Sequence, residues 1–195
     1  MLFRSPTAIT YGTSTPANGF TTTGLNGSDS FVLSYTYAGT GTTSYAASTT
    51  APTAAGTYSI TPAITSWTSG SASTYSSINY VAGSLTINKK ALTVTPDSIN
   101  ITYGTASPSY TFSVTGFKSG EDATNAANYS APSCTSSGYS ATNAATTTSS
   151  ITCSGGSATN YSFTTTATAT VTQAPLVVAA EAKSVTYGEI GRAHV

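Results

Sequence analysis

One four-residue motif returns twice in this chain. Ile9-Thr10-Tyr11-Gly12 recurs as Ile101-Thr102-Tyr103-Gly104 and again as Val185-Thr186-Tyr187-Gly188, at spacings of 92 and 84 residues. The approach to the motif recurs as well. Ile87-Asn88-Lys89-Lys90-Ala91-Leu92-Thr93-Val94-Thr95 parallels Val171-Thr172-Gln173-Ala174-Pro175-Leu176-Val177-Val178-Ala179. Later landmarks keep their order: Thr23 to Asp29 with Thr115 to Asp122, Thr57 to Pro62 with Ser149 to Cys153, and Asn79-Tyr80 with Asn160-Tyr161. Several landmarks in one order define a tandem repeat. Its period exceeds the roughly 20–50 residues of solenoid units, so each unit is large enough to be a small domain of its own. We therefore divide the chain into a first repeat at 6–89 lacking its first strand, a complete repeat at 90–173, and the start of a third at 174–189.

The ends read differently. Residues 1–5 and 190–195 resemble translated sequencing-library adapter, and such segments are set aside before fold reasoning. With them go the lone histidine, His194, and both arginines, Arg4 and Arg192. Four lysines then face Asp29, Asp97, Glu121, Asp122, Glu181 and Glu189. Nothing here is a clustered basic surface, so we expect no nucleic-acid partner. The longest apolar run, Ala174 to Ala180, is far short of a membrane span, and no membrane insertion is expected.

Thr and Ser together supply 72 of the 195 residues, while charged residues are 6%. That bias suits a disordered stalk, but the 13 tyrosines and the alternating apolar residues do not. Leu92 and Val94 alternate with Thr93 and Thr95; Tyr110, Phe112 and Val114 alternate with Thr111, Ser113 and Thr115. Alternation of this kind fits half-buried strands. Tyr80 to Ile87 and Tyr161 to Val171 read as long strands. Helical spacing is absent, and only Ser119 to Asn128 carries helix-capping chemistry. The expected fold is all-β, as tandem immunoglobulin-like β-sandwich modules. A β-grasp-like module with one short helix is the alternative.

Few residues carry candidate chemistry. Cys134 and Cys153 lie 19 apart inside the complete repeat, with no further cysteine and no histidine of the repeat to complete a metal site. A disulfide is the better reading, and it implies oxidising surroundings. Tyr11-Gly12, Tyr103-Gly104 and Tyr187-Gly188 read as a structural turn in which Gly supplies a positive φ and Tyr packs on the sandwich. Gly120-Glu121-Asp122 reads as a turn and cap rather than half a calcium site, which would need more oxygens. Trp67, in a Ser/Gly-rich loop from Thr65 to Ser77, reads first as packing over the sandwich edge; it is also the one candidate ligand contact, as a platform for a sugar or at an interface. No catalytic residues, metal ligands or cofactors are expected.

With these residues in view, the chain resembles the MBG domain, YGX type, a repeat family of large bacterial cell-surface and secreted proteins. The resemblance rests on Leu92 to Thr95, Tyr103-Gly104, Pro108, Gly116 to Asp122, Ser149 to Cys153, Asn160-Tyr161 and Ala167 to Val171. The second repeat departs from it by lacking Gly-Thr-Tyr before Ile151. The resemblance implies a non-catalytic, extracellular module: a stalk or spacer in an adhesin-like protein. Direct binding of a glycan or protein ligand, or service as an accessory module of a secreted enzyme, are the alternatives. Neighbouring repeats of the same chain are the nearest expected partners.

Overall fold

The computed structural model describes residues 2–4, 8–15, 17–101, 104–140, 148–165, 169–173, 175–184 and 187. β1 (Leu2–Arg4) precedes the first repeat, which holds β2 (Ile9–Thr10), β3 (Gly19–Thr21), β4 (Ser30–Gly39), β5 (Gly56–Ser69) and β6 (Gly83–Asn88). The second holds β7 (Lys90–Pro96), β8 (Ile99–Ile101), β9 (Phe112–Thr115), β10 (Ser130–Ser137), β11 (Thr148–Ser157), β12 (Tyr161–Thr165) and β13 (Ala169–Gln173).

Alternating apolar residues explain these strands. Tyr58, Ile60 and Pro62 of β5, Leu85 and Ile87 of β6, and Leu92 and Val94 of β7 are buried, with more exposed residues, chiefly Thr and Ser, between them. The long run from Tyr161 to Val171 is divided into β12 and β13. The run from Tyr80 becomes a strand only at Gly83.

The repeat is visible in the topology. One four-stranded sheet has the order β4-β5-β6-β2 and the other β10-β11-β13-β8. In both, the last pair is parallel and the rest antiparallel. Pairing also corrects the sequence alignment. Ile9 pairs with Ile87, whereas Ile101 pairs with Gln173. The structure thus equates Ile87 with Gln173, two residues from the match between the lead-ins. A two-residue slip leaves side chains on the same face, so the burial pattern survives it.

The second repeat has a further sheet, β12-β7-β9, with β7 parallel to β12. β11 packs against β7 and β12, which makes the module a two-layer, sandwich-like, all-β unit. Its first and last strand pairs each pass from one sheet to the other. A short antiparallel pair, β1-β3, joins residues 2–4 to the first repeat. The β-grasp alternative fails on its helix. Residues 119–128 form turns closed by Ala126 N–H to Asp122 O, and the only helix among the described residues is a 3-10 turn at Ala72–Thr74.

The modules are not loosely strung. A single residue, Lys89, separates β6 from β7. One core cluster runs through the junction, joining Tyr11, Tyr37, Tyr58, Ile60, Leu85 and Ile87 to Leu92, Ala126, Ala158 and Tyr161. A second cluster, Ile101, Ile151 and Val171, lies within the second repeat alone.

Candidate functional site

The junction concentrates the polar chemistry of the chain. Tyr11 follows β2, and its hydroxyl reaches across to donate to Glu121 Oε1 at 2.6 Å. Tyr161, at the head of β12, donates to the other carboxylate oxygen at 2.5 Å. Lys118 Nζ lies 2.9 Å from Glu121 Oε1, donates to the Tyr11 hydroxyl at 3.1 Å, and sits 4.7 Å from the centre of the Tyr11 ring. The Lys118 backbone N–H donates to the Tyr161 hydroxyl at 3.0 Å. The two tyrosine rings meet edge to face at 5.4 Å, a favoured aromatic geometry. One carboxylate thus joins a tyrosine from each repeat.

These bonds tune the charges. The Tyr11 hydroxyl, then that of Tyr161, then the Lys118 ammonium hold the Glu121 carboxyl well below its ordinary 4.5, at about 2. The Glu121 hydrogen bond is also the first cause that raises the Lys118 ammonium. Burial, then Glu121, raises the Tyr161 phenol. Around this ion pair the backbone is stitched. Asn160, buried, accepts the Ala55 N–H through Oδ1 at 2.9 Å, and Lys89 Nζ donates to the Ala158 carbonyl at 3.1 Å.

Gly12 makes the close approach possible. Its φ is +87°, and a Cβ there would lie 2.9 Å from the Lys118 side chain. The Tyr-Gly turn therefore packs on the following repeat as well as on its own, where the Tyr11 N–H donates to the Asn88 carbonyl and the ring joins Tyr37, Tyr58 and Ile87. Gly104 has the same conformation, φ +82°, with nothing described within 4 Å of a Cβ there. Tyr187 is fully exposed. Tyr103 and Gly188, like Pro16, Glu189, Arg192 and His194, lie outside the described residues.

The other candidate residues fall elsewhere. Cys134 and Cys153 are directly opposite on β10 and β11 and form a disulfide. Asp122 is occupied as a turn cap: its Oδ1 accepts from the backbone N–H and the hydroxyl of Thr124 at 2.7 and 2.6 Å. No group of three metal-ligating side chains occurs among the described residues.

Trp67 is on a strand, not in a loop. It sits near the far end of β5, which is long enough to carry the hairpin beyond the rest of the sheet. It is half-buried, stacked on Tyr75 at 5.4 Å and edge-on to Phe31 at 5.4 Å, with Phe20 beyond. A shallow cavity of about 70 Å³ lies beside it, lined by Leu25, Phe31, Ile64, Trp67, Tyr75 and Asn79 among others. Tyr75 donates to Asp29 Oδ2 at 2.7 Å and accepts the Asn26 N–H at 3.0 Å.

Residues 92–172 match the family model of the MBG domain, YGX type. This segment is similar to that family. MBG modules are repeat units of bacterial surface proteins and are not known as catalytic. The matched MBG segment begins in β7 and ends in β13, so it includes both sheets of the second repeat. No curated protein and no solved structure was found to match the chain.

Proposed function

We propose that these MBG modules act as a spacer in an adhesin-like, exported surface protein, holding another domain away from the cell. The observation that carries this reading is the Tyr11–Glu121–Tyr161 joint with the core running through it. A spacer must resist bending, and bending here would separate a hydrogen-bonded ion pair and open buried apolar surface. The disulfide on β10–β11 suits an extracellular setting. Small-angle scattering of the chain tests it. The expected result is one elongated particle whose profile fits a single inter-repeat angle. A profile that requires a broad mixture of angles would contradict a spacer.

One observation favours direct adhesion as a second reading. The stacked Trp67–Tyr75 pair beside a shallow cavity offers a flat aromatic surface with hydroxyls and an amide around it, as glycan sites do. Binding of the whole chain on a glycan array, lost in Trp67→Ala, would support it; an array without signal would not.

A further inference from the structure

The aromatic patch has a close structural precedent inside the same chain. Lys118 N–H donates to the Tyr161 hydroxyl, and Asn26 N–H donates to the Tyr75 hydroxyl. Tyr161 donates to Glu121, and Tyr75 donates to Asp29. The turn beneath each is also the same: Glu121 N–H to Lys118 O, and Asp29 N–H to Asn26 O, both at 2.9 Å. Asn26 and Asp29 precede Lys118 and Glu121 by 92 residues, the spacing of the first two Tyr-Gly motifs. In the second repeat this cradle of acid, tyrosine and backbone N–H receives the Tyr11-Gly12 turn of the repeat before it. In the first repeat the same cradle is bordered by the cavity and the exposed rim residue Phe20.

We infer that the Asn26–Asp29–Tyr75 cradle, flanked by Trp67, is a docking surface for the Tyr-Gly turn of a preceding copy of the repeat. The inference rests on the spacer reading and adds the rule by which the spacer extends. Each turn seats on the next module's acid and tyrosine, head to tail. Such a contact uses two different surfaces and can propagate along a chain. The donor half is present here as well: Gly104 has the conformation of Gly12, with nothing described within 4 Å of a Cβ there. Asp29 supplies the acceptor that Glu121 supplies to Tyr11, and charge-assisted bonds of this kind are the stronger ones.

The test is a tandem chain in which Gly188 of one copy runs directly into Thr13 of a second. This join completes a third repeat, because the two Tyr-Gly motifs are equivalent. Trp67→Phe in the first copy leaves one reporter, the Trp67 of the second. The expected result is a blue-shifted emission and a loss of acrylamide quenching relative to Trp67 in the single chain. Gly104→Val in the first copy, which places a side chain in the docking turn, should restore the single-chain values. Unchanged emission and quenching in the tandem would overturn the inference, as would burial that persists in Gly104→Val. Scattering of the single chain does not involve this cradle, so the spacer reading fails or stands separately.

Discussion

The two cradles share a plan and differ in surroundings. In the second repeat, Tyr161 is 2% exposed and its acid binds a tyrosine of the neighbouring module. In the first, Tyr75 leans on Trp67 near the end of a long hairpin, and the patch around it remains partly open. The same three groups are thus a buried joint in one place and a surface in the other. The difference shows that the hydrogen bonds alone do not bury the site; the incoming Tyr-Gly turn and the shared core do.

Truncating the tyrosines separates the two cases most strongly. Tyr161→Ala removes a buried aromatic ring and leaves Glu121 short of a donor, and should lower unfolding stability by about 3–5 kcal/mol. Tyr75→Ala, at a half-exposed ring, should cost on the order of 1 kcal/mol or less. Urea denaturation of each variant measures both, and equal losses would break the comparison.

The disulfide comes next. Cys134→Ser with Cys153→Ser should cost about 3 kcal/mol in the chain-entropy account of a loop this size. The loss should fall on the second repeat, since its first-repeat counterpart has Tyr35 paired with Pro62. Hydrogen exchange in β4 and β5 that rises as much as in β10 and β11 would show that the joint transmits the damage.

Acid should weaken the joint in a defined window. The Glu121 carboxyl is depressed in the folded chain, from 4.5 to about 2. Its contribution is therefore complete above the unfolded value and is lost as pH falls from about 4.5 toward 2. Stability of the natural chain should drop through that window more steeply than that of Glu121→Gln. Parallel curves would remove Glu121 from the account. Smallest of all is the glycine contrast. Gly12→Ala meets both a left-handed backbone and the Lys118 stem, whereas Gly104→Ala meets the backbone strain only. The strain is about 1 kcal/mol in each, so melting temperatures should separate the two by the Lys118 contact alone.

The β class and the cysteine pair were legible in the sequence because each is a local pattern: apolar alternation, two cysteines without other ligands. The joint was not, because Tyr11 and Glu121 are 110 residues apart and a tyrosine beside a glycine reads equally well as a turn on its own sheet. Alignment also misled at one point. Asn79-Tyr80 matches Asn160-Tyr161 in letters, yet Tyr75 takes the hydrogen bonds of Tyr161 while Tyr80 is 38% exposed. The first repeat has no strand where β12 lies, so its tyrosine arrives from the 3-10 turn at Ala72–Thr74 instead. One signal was available: the 92-residue offset that relates the Tyr-Gly motifs also relates Asn26 to Lys118 and Asp29 to Glu121. Trp67 was misplaced because Ser and Gly dominate its neighbourhood, although cross-strand pairing with Phe31 holds it in β5.

The most direct test of the central claim, that neighbouring modules form one body through the Tyr11–Glu121–Tyr161 joint, is amide nitrogen relaxation across both repeats. The account predicts one common tumbling time for amides of β4, β5 and β6 and those of β10, β11 and β13. Two distinct, shorter times would show that the repeats move independently and would contradict it.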